Sequence, residues 1–291
     1  MGDPSLGFIG LGVMGGPMCA NLIRESGRPV LVHDISEQAR RAAAEIGGIV
    51  APDVPSLAEG SDIVFLSLPS IAQVETVCAE ILQAGSRPRI VVDMSTSDVS
   101  RTRALAERLR GDGVLLVDAP VARLRQAAQD GTLLIAVGAP REQFEELLPL
   151  LSCMGSDVVH AGGVGNGQVI KILNNMVVFQ NMNALAEALA VGRAAGVDGK
   201  LLFETLSLGS ADSFALRRSA MATMAVDNFP LRTFPTTYAI KDMGLALQLA
   251  ADAGLQLRSA EETMRLLERT RDAGYVDEYY VAMVKLIDGR G

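Results

Sequence analysis

Residues 165–180 read GNGQVIKILNNMVVFQ, and the spacing of their apolar positions predicts the start of a long helix. Lys171, Asn174 and Asn175 fall at i, i+3 and i+4, so an amine and two carboxamides share one face of an otherwise apolar helix. Leaving such amides buried and unpaired costs about 1–3 kcal/mol each, and an unpaired charge costs more, so the cluster asks for polar partners. Only four of the 26 basic residues are lysines: Lys171, Lys200, Lys241 and Lys285. An ammonium can give up its proton at accessible pH and a guanidinium effectively cannot, which marks Lys171 as a candidate proton-transfer group.

A second constellation lies at the other end of the chain. In GFIGLGVMGGPMCANL (7–22), Gly10, Gly12 and Gly15 keep the G-x-G-x-x-G spacing after an apolar run and before a helical pattern. Gly10 would make the tight turn, Gly12 would let the backbone approach a pyrophosphate, and Gly15 would allow close packing of helix on strand. Leu11, Val13 and Met14 complete that loop, and the helix it opens would offer unpaired N–H groups to an anion. Asp34 stands 24 residues after Gly10 at the end of the next apolar run, where a carboxylate would accept the ribose hydroxyls of an adenosine. Its charge would repel a 2′-phosphate, which favours NAD over NADP. Arg40 and Arg41, one to two turns further on, leave the phosphorylated cofactor open.

The elements that must position these residues are legible as two regimes. Through about residue 160, short apolar runs (29–34, 62–69, 89–95, 114–121 and 132–138) alternate with helical patterns, which predicts a parallel sheet covered by helices on both faces. From about 165 helical patterns dominate, with Gly/Pro breaks near 196–199, 209–213 and 229–235. The expected organisation is an α/β domain over 1–163 and an all-helical domain over 164–291 that begins with a long linking helix. Val169, Ile170, Ile172, Leu173, Val177, Val178, Leu185 and Leu189 make that helix apolar nearly all round, so burial between domains or between subunits is expected.

Composition narrows the function classes. A net charge of −8 opposes general nucleic-acid binding, and no apolar stretch approaches 18 residues, which opposes a membrane span. Three scattered cysteines and two histidines offer neither a disulfide framework nor a metal centre. Without a signal-peptide pattern, a cytoplasmic protein is expected.

Five motifs in order then carry a resemblance. The glycine loop, DMSTS (93–97), DAPV (118–121), GNGQVIKILNN (165–175) and KDMGLAL (241–247) resemble the signatures of the β-hydroxyacid dehydrogenase family, over essentially the whole chain. The resemblance implies a Rossmann domain with a doubly wound, mostly parallel sheet, followed by a helical domain. It further implies an NAD-dependent interconversion of a small 3-hydroxy acid, such as 3-hydroxyisobutyrate, with its semialdehyde. Lys171 would be the general acid/base, with Asn174 and Asn175 on the substrate. Leu68, Pro69 and Thr96 would line the nicotinamide, and Lys241 would approach the cofactor. Dimers or tetramers are implied as well. The chain departs from the family where DAPV usually continues into Ser-Gly-Gly: here Ala122, Arg123 and Leu124 follow. Ala122 lacks the hydroxyl, and Arg123 is the natural replacement anion receptor. The arginine is shared with sulfolactaldehyde reductases, so a sulfonate or another small anionic aldehyde stands as the alternative substrate, and a non-catalytic cofactor-binding scaffold as a further one.

Overall fold

The computed structural model describes residues 5–231 and 233–289. It divides into two compact units, Met1–Lys171 and Ile172–Gly291.

In the first unit strands and helices alternate: β1 (Leu6–Ile9), α1 (Gly15–Glu25), β2 (Val30–His33), α2 (Glu37–Glu45), β3 (Ile49–Val50), α3 (Val54–Glu59), β4 (Ile63–Leu66) and α4 (Ile71–Ile81). Then follow β5 (Ile90–Asp93), α5 (Val99–Gly111), β6 (Leu115–Asp118), β7 (Val121–Ala122), α6 (Arg125–Gln129), β8 (Leu133–Gly138), α7 (Arg141–Leu151) and β9 (Gly155–Gly162). The strand order is β3-β2-β1-β4-β5-β6-β8-β7, with β9 beside β8. Strands β1 to β6 pair in parallel; β8 runs antiparallel to β6 and β7, and β9 is parallel to β8. This is the doubly wound, mostly parallel arrangement that the alternating pattern predicts.

Strands β1, β4, β5 and β6 are apolar up to the aspartates that end β5 and β6, because both faces of the sheet are covered there. Leu6, Phe8, Ile63, Phe65, Ile90, Val92 and Val117 enter the core on one face; Ile9, Val64, Leu66, Val91 and Leu116 enter the core on the other. Side-chain caps start the helices: Ser36 for α2, Asp53 for α3, Ser70 for α4 and Asp98 for α5 each accept a first-turn N–H. Because β1, β4, β5 and β6 are parallel, their carboxyl ends and the loops that follow lie along one edge of the sheet.

Helix α8 (Asn166–Ala194) is 29 residues long and opens within three residues of the expected start. The division between the units falls inside it, at 171/172, and its first turn is hydrogen-bonded to the sheet (below). The second unit continues with α9 (Gly199–Leu206), a π-helical turn (Leu216–Ala220), α10 (Thr236–Asp252), α11 (Arg258–Asp272) and α12 (Val284–Ile287). Its core gathers Phe179, Met182, Leu189, Phe203, Met243 and Tyr280, with Phe179 and Tyr280 edge to face at 4.9 Å. Along α8, Ile172, Leu185 and Leu189 are buried, but Ile170, Leu173 and Val177 are exposed, so the single chain covers only part of the apolar surface that the sequence gives this helix.

Candidate active site

The turn after β1 is built as the glycine spacing requires. Gly10 has φ +94° and donates its N–H to His33 O at 3.0 Å. A Cβ on Gly15 would stand 1.9 Å from Gly10 O, so its glycine is demanded by the chain's own backbone. A Cβ on Gly12 would meet nothing within 4 Å, and both Gly12 and Val13 are exposed. Packing therefore accounts for Gly15 and not for Gly12, whose bare backbone faces outward at the start of α1. Leu11 is buried beneath the loop, and Met14 precedes the first residue of α1.

Asp34 is fixed beside this loop. Its Oδ2 accepts Leu11 N–H at 2.6 Å and its Oδ1 accepts Ser36 N–H at 2.7 Å. Both nearby arginines have partners on their own chain: Arg40 donates to Asp34 O at 2.6 Å, and Arg41, on the surface, pairs with Glu37 at 2.5 Å. Ile35, which sequence reading passed over, is 98% exposed next to the carboxylate. A half-buried acid, an open glycine loop and a helix N-terminus fit an adenine dinucleotide, whose pyrophosphate Gly10–Gly15 could hold and whose adenosine ribose Asp34 could receive.

At the carboxyl ends of β4 and β5 the loops are tied to one another. Leu68 N–H donates to Ser95 Oγ at 2.9 Å. Ser95 N–H and Ser97 Oγ both donate to the buried Asp93 carboxylate at 2.9 Å. Thr96 is half-buried between the buried Ser95 and Ser97, and Pro69 is exposed. Gln168, fully buried in the first turn of α8, accepts Ser97 N–H at 2.9 Å and donates to Ser95 O at 2.8 Å.

The same helical turn is held from β6. Asp118 accepts Gly165 N–H at 2.6 Å and Gln168 N–H at 2.8 Å, while Gly167 packs so tightly that a Cβ there would lie 2.4 Å from Ala136 O. Burial pushes the Asp118 carboxyl up to about 6, against the pull of the two N–H donors, and the nearby Asp93 charge adds to the rise. Sequence reading placed a glycine signature here but missed Asp93, Ser95, Ser97, Asp118 and Gln168 as the groups that anchor it.

Lys171 follows Gln168 by three residues on α8 and is half-buried. Asn174 is exposed and donates to Asn175 Oδ1 at 3.1 Å; buried Asn175 donates to Asp242 Oδ2 at 2.7 Å. Asp242 is buried on α10, and Lys241 Nζ stands 3.2 Å from its Oδ1. The K-D motif is thus joined to the second asparagine through a carboxylate.

Arg123 is brought elsewhere. Its guanidinium bonds Thr132 O, Ser156 Oγ at 3.1 Å and Asp157 at 2.7 Å, and its backbone is left-handed with φ +84°. Expected as a receptor for a substrate anion, the side chain instead grips a carboxylate of its own chain. Ala122 is buried in β7. No group of three or more His, Cys, Asp or Glu among the described residues is arranged to hold a metal, and no described helix is long and apolar enough to cross a membrane.

Comparison with known proteins places this geometry. The family described as the NAD binding domain of 6-phosphogluconate dehydrogenase matches residues 5–163. The family described as NAD-binding of NADP-dependent 3-hydroxyisobutyrate dehydrogenase matches 165–287. A 2-(hydroxymethyl)glutarate dehydrogenase from Eubacterium barkeri is 34% identical over 97% of this chain and 94% of its own length. The Pseudomonas aeruginosa 3-hydroxyisobutyrate dehydrogenase is 33% identical over 98% and 99% of the two chains. Among solved structures, a Mycobacterium tuberculosis 3-hydroxyisobutyrate dehydrogenase described with L-serine superposes with a TM-score of 0.90 at 27% identity, covering 98% of this chain and 99% of that one. With its glycine loop, its anchored lysine helix and these relatives along nearly its full length, the chain belongs to the β-hydroxyacid dehydrogenase family and is an oxidoreductase.

Proposed function

We propose that the protein uses NAD to interconvert a small 3-hydroxy acid of the 3-hydroxyisobutyrate type with its semialdehyde, with Lys171 as general acid/base. The observation that carries this reading is the tethering of the Lys171 helix, through Asp118 and Gln168, to the edge of the sheet that also bears the Gly10–Gly15 loop. When bound, the nicotinamide supplies the two-electron acceptor or donor. In the oxidative direction the Lys171 amine takes the substrate hydroxyl proton as the carbinol hydrogen departs. In the reverse direction its ammonium returns that proton to the oxygen and stabilises the negative charge growing there. Asn174 and Asn175 hold substrate or orient the lysine, Asn175 being itself fixed by Asp242. Leu68, Pro69 and Thr96 border the nicotinamide, and Lys241 completes the cofactor side.

NAD is preferred to NADP because Asp34 presents negative charge at the ribose, Ile35 presents an apolar surface, and both Arg40 and Arg41 are already engaged. Ala122 and Arg123 border the substrate through the backbone of a left-handed turn. With its guanidinium on Asp157, Arg123 does not favour the sulfonate alternative. A homodimer or homotetramer and a cytoplasmic location complete the reading; the exposed apolar residues of α8 and the three free cysteines support them.

The test is a turnover panel with NAD and NADP: 3-hydroxyisobutyrate, 3-hydroxypropionate, serine, glycerate, 4-hydroxybutyrate, 2-(hydroxymethyl)glutarate and 2,3-dihydroxypropanesulfonate, each with wild type and Lys171→Ala. One carboxylate turned over with NAD and lost at least a hundredfold in Lys171→Ala is the expected result. Turnover that survives the lysine substitution would refute the acid/base assignment.

A further inference from the structure

We infer that Gln168 is a positioning residue: its carboxamide couples the loop carrying Thr96 to the helix carrying Lys171, so that the nicotinamide border and the proton-transfer group move as one body. The inference rests on the assignment of Lys171 made above.

One side chain bridges both sides of Thr96. Gln168 Oε1 accepts the Ser97 N–H at 2.9 Å, and Nε2 donates to Ser95 O at 2.8 Å. A carboxamide of this length offers a donor and an acceptor together; an ionised carboxylate lacks the donor and an alkyl chain lacks both. The network runs on from there. Ser95 Oγ holds Leu68 N–H, and Asp93 holds Ser95 N–H and Ser97 Oγ. Three segments with proposed roles around the reacting atoms (68–69, 95–97 and the Lys171 turn) therefore share one chain of hydrogen bonds.

The geometry separates this role from simple helix docking. The α8 backbone has its own anchors in the Asp118 bonds to Gly165 and Gln168 N–H and in the close approach of Gly167 to Ala136 O. Removing the carboxamide leaves those in place, yet frees the 95–97 loop from the helix. Lys171 lies three residues beyond Gln168 on the same helical face, so lost registration falls on the distance between loop and lysine. A misplacement of about 1 Å at such a site costs roughly a hundredfold in rate.

The test compares Gln168→Met and Gln168→Glu with wild type and Lys171→Ala in the full-length protein, using whichever panel substrate turns over. Hydrogen exchange of the peptide covering 94–98, NADH affinity by fluorescence titration, kcat, and the primary deuterium isotope effect are read for each. For Gln168→Met we expect at least tenfold faster exchange at 94–98 with strand β4 unchanged. We also expect kcat to fall ten- to a hundredfold with a larger isotope effect, and NADH affinity to change less than threefold. A Met variant that keeps kcat and isotope effect within twofold of wild type would overturn the inference, whatever its melting temperature. If that variant does not fold, Gln168→Glu decides. Protonated, its carboxyl restores the donor to Ser95 O; ionised, it sets an oxygen against that carbonyl. Its kcat should fall at least fivefold at whichever of pH 6 and pH 8 the 94–98 exchange rises tenfold; kcat within twofold of wild type with the loop so freed, or kcat lost with exchange unchanged, overturns the inference. Lys171→Ala keeps the two readings apart. Undiminished turnover there refutes the acid/base assignment, while loss there beside normal Gln168 variants refutes only the coupling.

Discussion

Gly12 and Gly15 have the same side chain for different reasons, and the difference makes a clean experiment. An added methyl at Gly15 collides with Gly10 O at 1.9 Å, whereas one at Gly12 meets no protein atom within 4 Å. Gly15→Ala is therefore expected to destabilise by roughly 1–3 kcal/mol, as overpacking against rigid backbone does. Gly12→Ala should leave the melting temperature unchanged or slightly raised, because alanine loses less chain entropy on folding. The same variant should weaken NAD binding at least tenfold in a calorimetric titration. Equal NAD affinity in Gly12→Ala and wild type would remove the pyrophosphate from this loop. Arg123 poses the opposite case, a bulky residue where φ is +84°. Arg123→Gly would relieve about 1–2 kcal/mol of left-handed strain and lose a partly exposed ion pair worth about 0–1 kcal/mol, so thermal stability should hold or rise slightly. KM for the substrate anion should change less than threefold; a tenfold rise with kcat unchanged would return the guanidinium to the substrate.

At the scale of elements, the decisive piece is the first turn of α8, and its anchor titrates. Asp118 is raised from 3.8 to about 6 by burial, so the folded state holds its proton more tightly than the unfolded chain does. The resulting stabilisation is fully present below about 3.8 and is lost as pH rises through about 6, a span worth up to about 3 kcal/mol. Asp118→Asn removes that proton and also turns an amide donor toward one of two N–H groups. Urea unfolding should therefore show wild type losing its advantage over Asp118→Asn by up to about 3 kcal/mol between pH 4 and pH 7. A difference that is flat with pH would show that this carboxyl does not titrate there. The sequence announces the glycines, Lys171 and the asparagines of this region, because turn geometry and helical spacing are local properties. It does not announce Asp118 or Gln168, whose partners are backbone groups 50 and 73 residues away that only the sheet topology delivers. The same limit hid strands: β3 has two exposed residues and β9 has a single buried residue in eight, so neither shows the buried run that reveals β1, β4 and β5.

Helix α8 carries more apolar surface than one copy of the chain conceals. Ile170, Val177 and Val191 are 44%, 50% and 70% exposed, and with exposed Ala184 they repeat every seven residues, which keeps them near one side of a helix about 43 Å long. Burying a valine or isoleucine is worth about 1.5–3 kcal/mol, and in a two-fold symmetric contact each residue is counted twice. A glutamate forced into the same place brings an unpaired charge into an apolar setting, also twice. Sedimentation equilibrium is thus expected to give two or four times 30.7 kDa for wild type and a lower multiple for Val191→Glu. Ile35, 98% exposed beside the dinucleotide loop, is the matched control. Ile35→Glu adds the same charge at an equally apolar surface position and should leave the mass unchanged, so general repulsion in a chain already carrying −8 cannot produce the pattern. A wild-type mass of 30.7 kDa would instead mean that the α8 surface stays solvated, and the oligomer reading would fall.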